Sequence, residues 1–244
     1  MRPVLIVQHE HDVGPGRFEH YLKARNIQHR IVQVFAGELI PSSADAYSGF
    51  CSLGGSMSAN DNLPWIDTEI ALMRSADQLG VPIIGHCLGG QLLAKTFGAA
   101  VTRHRLKEIG WGSVEVAEAQ LARQWIGEPA RIELFQWHGD TFAIPAEGRR
   151  FLTSQLCANQ AFVIERAAFT HLGMQFHVEM TAELIRAWAT DPLGRAEIER
   201  AFEQQDGVGV QPVDQMLRDV DLQAQRMAVI ADHVYDTWTK NLRR

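Results

Sequence analysis

Cys87 stands in the segment Gly85-His86-Cys87-Leu88-Gly89-Gly90-Gln91, with a glycine two residues to either side. The apolar run Val81-Pro82-Ile83-Ile84 before it reads as a buried strand, and Gln91-Leu92-Leu93-Ala94-Lys95-Thr96-Phe97 after it reads as a helix. A cysteine between strand and helix, flanked by small residues, suits a nucleophile elbow. Such a turn is tight enough to strain the nucleophile's own backbone, and Gly85 and Gly89 leave room for it. The helix behind would aim its unpaired N–H groups at the sulfur. The chemistry on offer is attack of sulfur on a carbonyl, which needs a base and a group to orient that base. Glycine and cysteine also meet in ordinary buried turns, so the partners decide.

Leu172-Gly173-Met174-Gln175-Phe176-His177-Val178-Glu179 offers both partners. As a strand it alternates faces, so Phe176 and Val178 point one way and His177 and Glu179 the other. A carboxylate two residues from a histidine on one face can hold the imidazole in one tautomer. In isolation the plainer reading is a half-buried strand with a polar face. A third segment, Leu53-Gly54-Gly55-Ser56-Met57-Ser58, follows the strand-like Phe50-Cys51-Ser52-Leu53. Two glycines there let bare N–H groups approach a ligand. The N–H groups of Gly55 and of Leu88 form the natural pair for a developing oxyanion; a simple turn is the alternative.

Together, and in this order, the three segments resemble the class I, triad-type glutamine amidotransferase domains. The matching stretches are Gly54-Gly55, Gly85 to Gly89, and Gly173-Met174-Gln175-Phe176-His177-Val178-Glu179; Val178 replaces the proline usual between His and Glu. The resemblance implies a catalytic triad of Cys87, His177 and Glu179, with Gly55 and Leu88 as the oxyanion hole. It implies Gly54, Gln91 and His138 beside the substrate, Gln91 one helical turn after the cysteine and His138 shaping the pocket from Phe135-Gln136-Trp137-His138-Gly139-Asp140. The implied reaction is hydrolysis of the γ-amide of glutamine through a γ-glutamyl thioester, with no cofactor and no metal. Trp137-His138-Gly139-Asp140 and Gln175-Phe176-His177 further resemble the glutaminase domain of GMP synthase. No G-x-x-x-x-G-K-[ST] phosphate loop is present. Ammonia would therefore pass to a separate synthase subunit, or the chain would act alone as a γ-glutamyl hydrolase or peptidase on L-glutamine or another γ-glutamyl compound. A cysteine-based redox sensor or chaperone on the same fold is the reading from a different class; those proteins usually lack a late His-x-Glu.

These residues need a scaffold. Strand and helix alternate from Pro3 to Phe97, which predicts a parallel sheet covered on both faces. From Ile109 to Phe176 several strands crowd together, and some should pair antiparallel at the sheet edge or in a smaller second sheet. The expected fold is a three-layer α/β/α, flavodoxin-like, mostly parallel sheet with a nucleophile elbow. Residues 1–190 would form the amidotransferase-like domain, and 191–244 a helical C-terminal extension packed on it. A final helix from Asp214 to Thr239 carries a broken apolar stripe of Met216, Val220, Leu222, Met227, Ile230 and Val234. It reads as a packed terminal helix, with a homodimer or partner surface as the alternative.

The chain has 244 residues, 46% of them hydrophobic, enough for one large core. A net charge of −6 without a basic cluster argues against nucleic acid. No apolar run reaches membrane-span length and no signal-peptide pattern opens the chain. Three cysteines, an odd number, favour a reducing compartment, so the expected location is the cytoplasm. Cys51 lies inside an apolar strand-like stretch and Cys157 lacks both glycines and a following helix, so both read as structural residues. His9, Glu10, His11 and Asp12 follow the first strand and read as polar loop residues near the pocket mouth rather than metal ligands.

Overall fold

The computed structural model describes residues 2–128 and 132–243. Along the chain come β1 (Val4–Gln8), α1 (Gly16–Ala24), β2 (His29–Gln33), β3 (Gly49–Ser52), α2 (Pro64–Gln78), β4 (Ile83–His86) and α3 (Leu88–Thr96). Next are β5 (Val101–Ser113), β6 (Glu115–Val116), α4 (Ala119–Ile126), β7 (Glu133–Phe142), β8 (Gly148–Thr153), β9 (Ala161–Glu165) and β10 (Thr170–Met174). The chain closes on α5 (Ala182–Thr190), α6 (Pro192–Gln204), α7 (Val213–Leu217) and α8 (Val220–Thr239). Local chemistry sets several boundaries. Pro64 and Pro192 occupy first helical positions, where a missing N–H costs nothing. The side chains of Thr181 and Asp191 accept from the free N–H groups that open α5 and α6.

The main sheet has eight strands in the order β2-β1-β3-β4-β10-β9-β8-β6. The first five run parallel, and β9, β8 and β6 each pair antiparallel. Strands β5 and β7 form a separate antiparallel pair whose register breaks between Arg103 and Glu108. Both places expected for antiparallel pairing, the sheet edge and a second sheet, are occupied.

Alternation along buried strands builds the layers. Val4 and Ile6 of β1 pack with Phe18, Tyr21 and Leu22 of α1, with Trp125 of α4, and with Met227, Val234 and Trp238 of α8. Leu5 and Val7 face the other way, into Ile66, Ile70 and Met73 of α2 and Leu92 and Leu93 of α3. The result is a mostly parallel sheet between two helical layers. No helix among the described residues is long and apolar enough to cross a membrane.

Two expectations need correction. The chain leaves the sheet at Met174, so His177 and Glu179 lie in a turn and not on a strand face. Here Gln175 N donates to Gln160 O and His177 N to Phe135 O, and these bonds draw the chain away from β4. The last helix is also two helices, α7 and α8, separated at Arg218 and Asp219. Its apolar stripe is core, with Met216, Val220, Met227, Ile230 and Val234 buried; Leu222 is the exception, at 47% exposure.

Candidate active site

Cys87 caps α3 directly after β4, with φ +49° and ψ −107°. A non-glycine residue there carries strain of about 1–3 kcal/mol, which only a firm surround maintains. The surround is close. A Cβ on Gly85 would lie 2.4 Å from Gly89 O, and one on Gly89 would lie 2.1 Å from Ser52 O. Cys87 N donates to Met174 O at 2.9 Å, pinning the elbow to β10. The sulfur faces Trp137 O at 3.8 Å and receives Gln175 Nε2 at 3.7 Å. The N–H groups of Leu88 and Gly55 donate to no acceptor among the described residues.

His177 and Glu179 meet in the turn after β10, Nδ1 to Oε1 at 2.6 Å, both buried. With Nδ1 held by the carboxylate, the other ring nitrogen, Nε2, is buried without a hydrogen-bond partner. Burial alone would push His177 down. The Glu179 carboxylate and the Cys87 side chain outweigh it and push the imidazole up to about 10. Burial likewise opposes ionisation of Glu179, but His177 and His86 hold its carboxyl below the usual range. Behind Glu179, His86 Nε2 lies 3.8 Å from Oε2, and burial pushes His86 down.

Cys87, His177, Gln91, Gly55 and His138 all line one cavity of about 670 Å³. Gln91 is buried, its Nε2 donating to Asp140 O at 3.3 Å. Gly54 lies against His177, because a Cβ there would stand 2.7 Å from His177 Cε1. Glu179 reaches this cavity only through His177, and Leu88 follows Cys87 without lining it. Cys51 and Cys157 do not line this cavity, and burial pushes both thiols up.

The N-terminal cluster divides. Glu10 and Asp12 line the cavity mouth, and His11 pairs with Asp12 at 2.6 Å on the surface. His9 is not a loop residue in water but is 1% exposed, with Nε2 2.8 Å from Glu69 Oε2. A second Cys-His-Glu grouping, Glu108, His138 and Cys157, places one metal-ligand atom of each residue within 4.8 Å of the others. Those donors are already engaged. His138 bridges Asp140 O and Glu108 Oε2 at 3.1 Å each, and Gln160 Nε2 adds 3.0 Å to the same carboxylate. The group buttresses the cavity wall.

Sequence reasoning missed the aromatic wall. Trp188 of α5 stands edge-on to His177, centroids 5.4 Å apart, and its Nε1 donates to Asp12 O at 2.7 Å. Trp137 donates to Glu197 of α6 at 3.0 Å. Gln175 was within reach of sequence reasoning, inside the Gln175-Phe176-His177 stretch.

Comparison with known proteins points the same way. The model of the family described as glutamine amidotransferase class-I matches residues 17–187. The chain belongs to the class I glutamine amidotransferase family. The glutamine amidotransferase-like protein YfeJ of Salmonella typhimurium is 29% identical over 190 residues, 75% of this chain and 77% of that protein. A glutamine-hydrolyzing GMP synthase subunit of Pyrococcus abyssi is 30% identical over 110 residues, 45% of this chain and 56% of that protein. The chain thus spans only about half of that relative. Among solved structures, a glutamine amidotransferase of Methylobacillus flagellatus superposes with a TM-score of 0.94 at 38% identity, covering 100% of this chain and 96% of that one. A second, from Thermotoga maritima, gives 0.80 at 27% identity, covering 98% and 99%. This class I amidotransferase chain shares its whole architecture with them.

Proposed function

We propose that this chain hydrolyses the γ-amide of glutamine with a Cys87-His177-Glu179 triad. One observation carries the reading: a strained cysteine at a helix N-terminus shares a cavity with a histidine whose Nδ1 is held by a buried carboxylate and whose Nε2 is unpartnered. The Glu179 carboxylate and the Cys87 side chain outweigh burial and favour the imidazolium, and His177 takes the Cys87 proton as the sulfur attacks. The sulfur adds to the γ-carbonyl carbon, and the carbonyl electrons move to oxygen, between the N–H groups of Gly55 and Leu88. Collapse of that intermediate breaks the C–N bond, and His177 gives its proton to the departing ammonia. Water then adds to the γ-glutamyl thioester, losing a proton to His177, and glutamate leaves as the thiolate reforms.

Relatives named as part of GMP synthase support a partner that takes the ammonia. A second reading, a self-sufficient γ-glutamyl hydrolase, is favoured by Trp188 and Glu197, through which α5 and α6 supply part of the cavity wall. One assay separates them: release of glutamate and ammonia from L-glutamine by the purified chain, with Cys87→Ala as control. Robust Cys87-dependent turnover supports the hydrolase, and weak turnover that rises with an added synthase supports the partnered enzyme. Undiminished turnover by Cys87→Ala would refute the mechanism.

A further inference from the structure

Behind the Gly54-Gly55 segment lies a buried polar chain that the triad does not use. His9, after β1, has both ring nitrogens against acceptors: Nδ1 is 3.0 Å from Gly54 O, and Nε2 is 2.8 Å from Glu69 Oε2. Ser52 Oγ donates to the other carboxylate oxygen, Glu69 Oε1, at 2.6 Å. His9, Ser52 and Glu69 are each no more than 1% exposed, and the imidazole stacks on Trp65 at 4.8 Å. A carbonyl can only accept, so Nδ1 bears hydrogen. Nε2 faces the second oxygen of Glu69, the one that Ser52 does not bond. Burial pushes His9 down, but Glu69 and the Gly54 carbonyl outweigh it and raise it above the ordinary histidine value.

The consequence follows from peptide geometry. Among the described residues all peptide bonds are trans, so the Gly54 carbonyl and the Gly55 N–H of one planar unit point in opposite directions. Glycine on both sides removes the usual steric bias against turning that plane over. Its neighbours are anchored: Leu53 O accepts from Gly89 N at 3.1 Å, and Ser56 N donates to Glu10 Oε2 at 3.0 Å. His9 lies outside the cavity, whereas Gly55 lines it.

We propose that His9 is a positioning residue, whose hold on the Gly54 carbonyl turns the Gly55 N–H into the cavity as an oxyanion donor, with Glu69 and Ser52 fixing His9. This rests on the amide-hydrolase reading above. None of the three touches substrate; they act through one peptide plane. The same chain links the donor to the elbow, because Ser52 is also the residue against which Gly89 packs.

The test compares wild type with His9→Gln, and with the milder Glu69→Gln should His9→Gln fail to fold. It measures kcat and KM for L-glutamine hydrolysis, the rate of Cys87 alkylation by iodoacetamide, and the Gly54-Gly55 peptide orientation in crystal structures. Alkylation is a displacement at carbon and forms no oxyanion, so it reports the triad alone. The expected result is a kcat lowered about 100-fold, the low end for loss of one oxyanion donor, with KM and alkylation nearly unchanged and the peptide turned over. Unchanged kcat, or alkylation falling as far as kcat, overturns the proposal. If wild type hydrolyses no amide, the functional reading fails separately. The crystal structures still decide the positioning role, and a peptide unmoved in the variant overturns it.

Discussion

At the scale of single residues, the site works through opposed contributions to one imidazole. His177 is fully buried, which by itself disfavours charge, yet the Glu179 carboxylate and the Cys87 side chain raise it to about 10. In the proposed mechanism the protonated imidazole is the acid for the leaving ammonia, so activity should be lost as pH rises through that value. In wild type kcat/KM should hold across neutral pH and fall only near pH 10. Glu179→Gln keeps a hydrogen-bond acceptor but removes the charge. The alkaline fall should then move to lower pH, with kcat reduced about 100-fold, the scale of acid–base assistance. A pH–rate profile measures both; an unmoved alkaline limb would exclude Glu179 as the source of the shift. The types Cys, His and Glu were legible in the sequence, but the route to their contact was not. Strand alternation predicted a shared face, whereas a turn after Met174 brings His177 to Glu179.

At the scale of elements, polar ties hold the end of α2 to the antiparallel β9-β10 pair. Ile83 N donates to His171 Nδ1 at 2.9 Å, so the His171 Nε2–H donates to Asp77 Oδ1, 3.1 Å away. Arg166 Nε meets the same carboxylate at 2.8 Å. These bonds hold Asp77 well below the usual carboxylate range, against the effect of burial. A depressed carboxyl stabilises fully above its unperturbed value of 3.8, and that contribution is lost as pH falls through the lower folded value. Burial also pushes His171 down, so its protonation in acid costs stability in the same direction. Asp77→Asn should cost about 1–2 kcal/mol at pH 7 and should flatten the acid decline in urea-melt stability below pH about 4. An acid slope as steep as wild type would place the titrating group elsewhere. Strand and helix periodicity foretold α2, β9 and β10; that Asp77 faces the hairpin depended on packing between segments 89 positions apart.

At the scale of the whole molecule, the last helix belongs to the core. Tyr235 and Trp238 of α8 are fully buried, edge-on to Phe18 at 4.8 and 5.7 Å. Asp232 receives Arg17 Nε at 2.9 Å, and Asp236 receives Tyr21 Oη at 2.6 Å, which ties α8 to α1 across more than 200 residues. Trp238→Ala should cost about 3–5 kcal/mol, whereas Leu222→Asp, on the outward face, should stay within about 0.5 kcal/mol of wild type. Thermal melts of both variants measure this. Equal losses would mean that Leu222 is covered in solution, as by a second copy.

By itself the sequence determined what short-range rules govern. The tight elbow at Cys87 needs glycines two residues away, buried parallel strands read as apolar runs, and the starts of α2, α4, α5 and α6 carry proline or a capping side chain. It also determined the family, since three separated motifs occur in one order. Only the tertiary structure decided what converges from distant segments. His9 was read as a loop residue because nothing near it in sequence predicts Glu69 and Gly54 as partners for its two nitrogens. Trp188 and Glu197 could not be seen as cavity wall, because helix periodicity marks which face is apolar but not what that face meets. Burial and directed hydrogen bonds arise between elements, and their partners are chosen when the layers close.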